Sequence, residues 1–493
     1  MPIGLCFGLG PFSVSRRILA VYSDGTAKGI DMDLSERIAK LVTDVSFEDL
    51  PEETVLSSKM AILDTLGVMI AGSGAGEGVE KVVTLLSSLG GKAECSVVGF
   101  DEKNNPVLTA MANGALAHSI DYDDAHDDAF VHPSASVVPA ALTVGEYVNA
   151  SGKDLIKAVA LGNDVMCRLG FAVSNPKKND GLLWMLPVLL GTFSATVAAL
   201  SLLGLTKNQV ENALGVAYSR AGESKELVIE PGALRGLYAM YPNMTGVLSS
   251  LLAKSGVPGL KETFQGEAGF FNMYYAGVFD ESAFDDMGAR FEGDGVSIKP
   301  WPCCRFTNSH VDAALRLARE EDVDAADIAK ITLYYAEENS KRCLNPLDMR
   351  RNPKTIPEAK LSLPFTVAQA LAYRKVEIGD FCKEALEDPV LNRLCSVTFV
   401  EYDESLKSSF SKTMLPGRVR VEMAGGAVYD KRVDVVYGHP KNRMQWGDLA
   451  DKFRDCASFG RKRLDADQVN EIIGAIERLD EVDDVSPIMD MVR

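Results

Sequence analysis

The sequence predicts a mostly α chain in which a large helical domain is followed by an inserted α+β domain, and three observations predict it. Apolar residues recur at helical spacing from about residue 32 to 285. Short runs of alternating β-branched and aromatic residues then appear between 330 and 436, and helical spacing returns after Pro440. With 493 residues the chain is too long for a single compact core, so two or three domains are expected. Their boundaries are read as 32–285 for the helical domain, 290–440 for the α+β domain and 441–493 for C-terminal helices that rejoin the first domain.

In chain order, Pro51 opens a helix in which Val55, Leu56, Met60, Leu63, Leu66 and Met69 share a face. "GSGAGEG" (72–78) closes it; these glycines follow a helix and miss the spacing of a dinucleotide-binding fingerprint. Helices are predicted over 107–119, 137–149, 152–168, 191–203 and 207–220, the last with Thr206 as N-cap. "KITLYY" (330–335), "SVTFVEYD" (396–403), "RVRVEM" (418–423) and "AVYDKRVDVV" (427–436) read as strands, the last two joined by a turn at Ala424-Gly425-Gly426. Helices over 309–320, 323–329 and 358–373 interleave with them, and "DADQVNEIIGAIERLDEV" is the clearest helix of the tail.

A formal charge of −18 argues against a general nucleic-acid surface, because phosphate would be repelled; any anion site must be a local basic pocket. Nine cysteines without CxxC spacing suggest neither a zinc ribbon nor a thioredoxin motif, and are expected to be reduced thiols of a cytoplasmic protein. Residues 1–31 place positive charge after the apolar part, the reverse of a secretory signal, and read as a loosely attached extension. The uncharged segment 182–205 is long enough to cross a bilayer, but Pro187, Gly191 and three hydroxyl residues interrupt it and no basic cluster flanks it closely, so a buried core helix is expected.

Chemistry concentrates in "NGALAHSIDYDDAHDDAFVHPSASVVPAAL" (113–142), which holds three of the five histidines among five aspartates. His132 precedes proline and is pushed off helical geometry, while Asp121 falls just past the helix bearing His118. A carboxylate and an imidazole at such an edge can divide acid and base roles. Blander readings compete. Asp121, Asp123, His126 and His132 could ligate a metal, although no familiar spacing supports it; His118 reads as a structural histidine, Asp127 and Asp128 as a solvated loop or helix N-terminus, and His439 as a linker residue. Cys303 and Cys304 read as small buried residues, with Cys304 a candidate thiolate beside Arg305.

The 113–142 stretch resembles the signature of the MmgE/PrpD family, which includes 2-methylcitrate dehydratase, cis-aconitate decarboxylase and iminodisuccinate epimerase. "KPWPCCRFTNSHVDAALRLA" (299–318) is similar to the family's second-domain motif, and "EAKLSLPFTVAQAL" (358–371) and "AIERLDEVDDVSP" (475–487) are weaker matches. The resemblance implies a cofactor-free lyase or isomerase for small di- or tricarboxylates, a helical domain with an α+β lid, a site between them and a homodimer. It places Asp121 and His132 at active-site positions and Lys299 facing substrate. Arg235 stands where many members have lysine; Met185, Asn308 and Tyr238 stand where members have histidine, and Ala125 where the decarboxylase has threonine. Cis-aconitate decarboxylation therefore fits least, a dehydratase is favoured, and an epimerase, a decarboxylase or a non-catalytic carboxylate binder are the alternatives. Proton abstraction beside a carboxylate needs a base and fixed cations. The expected catalytic residues are Asp121 and His132, and the expected substrate-binding residues are Arg235, Lys299, Arg305, Cys304, His310 and Tyr238, with no metal.

Overall fold

A computed structural model describes residues 32–173, 184–229, 232, 234–336, 338–407 and 416–493. The extension 1–31 and residues 182–183 of the apolar segment lie outside the described residues.

The first body of helices comprises α1 (Leu34–Asp44), α2 (Glu52–Ala75), α3 (Val79–Leu89), α4 (Pro106–His118), α5 (Pro133–Val148), α6 (Gly152–Val173), α7 (Leu186–Leu203) and α8 (Lys207–Tyr218). The short α9 (Glu226–Ile229) and α10 (Leu234–Leu237) lead into α11 (Met240–Lys254) and α12 (Phe270–Tyr275). Two-residue strands β1 (Cys95–Ser96) and β2 (Lys103–Asn104) pair antiparallel between α3 and α4. The uncharged α7 lies at the centre, packed by α5, α6 and α11, and Leu189, Leu190, Phe193 and Val197 are wholly buried on it. Each such side chain contributes about 1.5–3 kcal/mol over its exposed state. Both α2 and α7 are long and apolar enough to cross a membrane, yet 78% and 89% of their apolar windows are buried within the protein.

Helix α5 begins at Pro133, four residues before the expected start, since proline is tolerated in a first turn. It also runs through Pro139, which removes the donor that would reach Ala135. That carbonyl is instead satisfied by the Asn243 side-chain amide of α11 at 3.0 Å. Thr206 caps α8 as expected, accepting from the Gln209 N–H while Gln209 reaches back.

The second body comprises α13 (Asn308–Glu320), β3 (Ile328–Tyr335), α14 (Leu347–Arg351), α15 (Ile356–Lys360), α16 (Leu363–Tyr373), α17 (Lys383–Leu386), α18 (Pro389–Ser396), β4 (Thr398–Tyr402), β5 (Gly417–Met423) and β6 (Val428–Val433). The sheet order is β4-β3-β5-β6, with β3 and β4 parallel and the other pairs antiparallel. Gly426, at φ 88°, supplies the left-handed residue that the β5–β6 turn requires. Val419 and Val421 alternate inward along β5, on the face that meets α13.

Two further helix expectations, both in the second body, differ from the structure. Residues 323–329 form only a short 3₁₀ turn at Ala325–Asp327, because Asp324 accepts from the Ala326 N–H and Ile328 already belongs to the sheet. The single helix expected over 358–373 is split: the Ser362 hydroxyl caps α16, accepting from the Phe365 N–H at 3.0 Å, and Pro364 in the next turn forbids continuation from α15.

After β6 the chain crosses back. Helices α19 (Trp446–Ser458), α20 (Ala466–Glu477) and α21 (Ser486–Val492) contribute Leu449, Phe453, Ile472, Ile476 and Met489 to the same hydrophobic core as α2, α5 and α7. A separate core, built around Val311, Leu333, Phe365, Leu394 and Val421, fills the second body. The acidic stretch and the 297–305 linker lie at the junction, where Ala125 and Ser297 exchange backbone hydrogen bonds of 2.9 and 2.7 Å.

Candidate active site

The site is built at the break between α4 and α5. Helix α4 ends on His118, and the chain turns through Asp121, whose φ of 54° is left-handed, a conformation aspartate tolerates better than most residues. His132 then stands as N-cap before Pro133, at φ −117° and ψ 84°. The loop between packs tightly on α6: a Cβ on Gly170 would lie 2.6 Å from the Ala129 carbonyl oxygen, so only glycine permits the approach.

The aspartates of this loop are compensated by donors that arrive from elsewhere. The Lys299 ammonium is wholly buried, donates to the Asp121 Oδ1 at 2.7 Å and to its carbonyl at 3.3 Å, and sits 3.5 Å from the Asp123 carboxylate. The Arg235 guanidinium lies 3.7 Å from the other Asp121 oxygen. Burial opposes ionisation of Asp121, but the Lys299 and Arg235 charges outweigh it and hold the carboxyl well below the usual carboxylate range. On Lys299, burial is likewise outweighed by Asp121 and Asp123, which keep it charged.

Asp123 is the hub. It accepts from the His118 Nδ1–H at 2.8 Å, and the His132 Nδ1 lies 3.3 Å from its second oxygen. The His132 Nδ1–H also donates to the Asp124 carbonyl at 2.6 Å. Carboxylate and carbonyl oxygens can only accept here, so both imidazoles carry hydrogen on Nδ1 and present Nε2. Their titrations diverge. Desolvation outweighs Asp123 at His118 and lowers its pKa, leaving a neutral ring. At His132 desolvation is outweighed by Asp123, and the pKa is raised. The two rings meet edge to face at 5.3 Å, with Tyr238 against His118 at 4.3 Å. The Tyr238 hydroxyl is buried without a hydrogen-bond partner and stays protonated, since burial drives its pKa far up.

Asp121, His132, Arg235, Lys299 and Tyr238 thus converge on one cluster. Cys304 stands half-buried at its second-domain edge, lowered to about 6 mainly because the Cys343 thiol hydrogen-bonds to it. Two residues expected to hold substrate sit elsewhere. Arg305 is committed to Asp127 by a buried two-pronged pair, both bonds 2.8 Å, which Ser297 completes. Asp127 is therefore half of a buried clamp between the domains and not a solvated loop residue. His310 faces β3, donating from Nε2 to the Tyr334 carbonyl at 2.8 Å, and burial pulls its pKa down to about 4.

His118 and Asp123 also lie in this cluster, which the spacing alone did not reveal; the signal was a histidine closing a helix five residues before an aspartate. Met185 caps α7 and donates its N–H to Glu223, and Asn308 braces Cys303 and the Cys304 carbonyl through its amide. His439 approaches Asp127 at 3.9 Å and so belongs to the clamp region.

Ligand atoms of His118, Asp123 and His132 lie within 4.8 Å of one another, close enough for a metal ion to be considered there. The fit is poor: the Nδ1 atoms that approach Asp123 already donate to oxygens, and the Lys299 ammonium already neutralises the carboxylate charge that a cation would need. His126, part of the alternative ligand set, uses its Nδ1 to accept from the Ala129 N–H and packs on Phe171.

Comparison with known proteins matches the MmgE/PrpD N-terminal domain to residues 36–281 and the MmgE/PrpD C-terminal domain to residues 301–481. A cis-aconitate decarboxylase of Aspergillus terreus (strain NIH 2624 / FGSC A1156) is 25% identical over 493 residues, covering 95% of this chain and 97% of its own. The Mus musculus cis-aconitate decarboxylase is 26% identical over 479 residues, 93% of each chain. A 2-methylcitrate dehydratase of Cupriavidus necator is 23% identical over 417 residues, 76% of this chain and 83% of its own.

Proposed function

Because the chain belongs to the MmgE/PrpD family, we propose that it is a lyase for a small di- or tricarboxylate, acting as a hydro-lyase of the 2-methylcitrate dehydratase type. One observation carries this: a single buried carboxylate, Asp123, holds two imidazoles whose titrations are driven apart. Elimination of water requires a base and an acid together, and divergent pKa values of neighbouring groups assign the roles. The neutral His118 takes the proton beside the carboxylate on Nε2. The His132 imidazolium gives its Nε2 proton to the departing hydroxyl, which leaves as water. Asp121 keeps Lys299 and Arg235 in place, and these two cations face the charge that builds on the substrate carboxylate. Every group in this scheme is a side chain of the chain itself, so the reaction as proposed uses no cofactor.

A decarboxylase reading is supported by one different observation: the relatives named cis-aconitate decarboxylase align along 93–95% of the chain, those named 2-methylcitrate dehydratase along 70–76%. In that case His132 would protonate the carbon that loses carbon dioxide. Against it, Ala125 offers only a buried methyl, and its backbone is tied to Ser297.

The experiment is a panel of hydroxy- and unsaturated di- and tricarboxylates followed by proton NMR in deuterated water, with carbon dioxide measured in parallel. An alkene formed from a hydroxy acid without carbon dioxide supports the hydro-lyase. Stoichiometric carbon dioxide replaces it by the decarboxylase. Binding with no turnover of any member leaves a carboxylate-binding protein and refutes the enzyme.

A further inference from the structure

Three consecutive carbonyls of the catalytic loop each accept from a lysine of a different chain region. Lys299 reaches Asp121 and Lys452 of α19 reaches Tyr122 at 3.0 Å, while Lys360, the last residue of α15, reaches Ile120. The first two have carboxylate partners: Asp121 for Lys299, and Asp64 at 2.6 Å for Lys452. Lys360 differs. It is 8% exposed, its ammonium lies 5.2 Å from the Phe381 ring, and among the described residues no carboxylate stands within ion-pair distance. A buried, unpaired cation is unfavourable for folding alone. Its own carbonyl accepts the Cys304 N–H at 3.0 Å, so this one residue ties the second-domain motif to the loop from both ends.

We propose that Lys360 is a positioning residue: from the second domain it grips the Ile120 carbonyl and so holds Asp121, the next residue, in its left-handed conformation against Lys299 and Arg235. An ammonium makes the stronger, charge-assisted hydrogen bond, and the neutral amine loosens the grip. The groups that act on it are Asp121 and Asp123, Cys303 and Lys299, with the Phe381 ring beneath. Burial, the largest influence, pulls its titration down to about 8.

The test uses the full chain and the variants Lys360→Met and Lys360→Arg. Hydrogen exchange, read without substrate, should show faster exchange across residues 119–124 in Lys360→Met, with α13 and β3 protected as in the parent. Lys360→Arg, whose guanidinium does not titrate in this range, should restore that protection. For activity, which rests on the proposed lyase reading, Lys360→Met should lower kcat by up to about 100-fold, the scale of a 1 Å misplacement. The parent should lose kcat on an alkaline limb at about pH 8, and Lys360→Arg should remove the limb while retaining turnover. Unchanged exchange over 119–124 in Lys360→Met overturns the proposal, whether or not the substrate is known. So does an alkaline limb that Lys360→Arg leaves in place. If Lys360→Met does not fold, Lys360→Arg decides through the limb and the exchange together.

Discussion

Replacing Asp123 by Asn isolates the hub of the site, because shape is kept while charge and one acceptor are lost. The carboxylate accepts from His118 on one oxygen and stands 3.3 Å from the His132 Nδ1 on the other. An amide has one acceptor oxygen, so one imidazole must face an N–H group instead. The raised pKa of His132 owes its direction to Asp123, against desolvation, so removing the charge should send it downward. At neutral pH both rings would then be neutral, and the acid would be missing. Losing one positioned acid or base costs about 10²–10⁴ in rate, equivalent to about 3–5 kcal/mol of transition-state stabilisation. Since Arg235 and Lys299 remain paired through Asp121, KM should move only a few-fold. The assay is steady-state kcat and KM on the accepted polycarboxylate, beside a ¹⁵N titration of the histidine side chains. A kcat within threefold of the parent, or an unmoved His132 titration, would refute the assignment of Asp123 as the group that splits acid from base.

Breaking the Arg305–Asp127 clamp by Arg305→Met should cost about 3–5 kcal/mol in urea unfolding, because it strands a buried carboxylate; Arg305→Met with Asp127→Leu should recover most of it, and full recovery of substrate affinity would rule out a carboxylate-binding role. His310→Phe should leave kcat/KM within threefold while lowering stability by about 1–3 kcal/mol through the unpaired Tyr334 carbonyl. Lys360 titrates lower folded than unfolded, so between about 8 and 10.5 the unfolded chain binds the extra proton and stability rises with pH. The parent should therefore gain up to about 3 kcal/mol relative to Lys360→Met across that window in pH-resolved unfolding. The chain is also expected to form a homodimer, and sedimentation at micromolar concentration that finds only monomer contradicts this.

The helical body was legible because α4, α6, α7 and α8 carry long apolar periodicity and local caps such as Thr206, which act within a few residues. The sheet was legible in its alternation and in the Gly425-Gly426 turn. What failed were boundaries decided by single polar side chains, Asp324 and Ser362, whose hydrogen bonds compete with helix continuation. In the site, Asp121, His132, Arg235 and Lys299 were visible as residue types of the right chemistry. His118 was not, because a histidine on a buried helix end looks structural until its neighbours are known. Arg305 and His310 lie close to the cluster in sequence, within the 299–318 block, while their side chains turn to Asp127 and to β3.

Five aspartates in fifteen residues would repel one another if the loop had to supply its own compensation. Instead Lys299 comes from the linker, Arg235 from α10, Lys360 from α15, Lys452 from α19 and Arg305 from the second-domain motif, so contacts from both bodies hold the loop. Around this cluster Lys299, Arg235 and Lys360 face Asp121 and Asp123, which leaves positive charge in excess there. In a chain of net charge −18 that excess is local and is held by burial, as the proposed polycarboxylate site would require. The same arrangement explains why the acidic stretch is so dense. Asp121, Asp123 and Asp127 immobilise Lys299, Arg235 and Arg305, and a cation fixed before substrate arrives needs no reorganisation when charge develops on a reacting carboxylate.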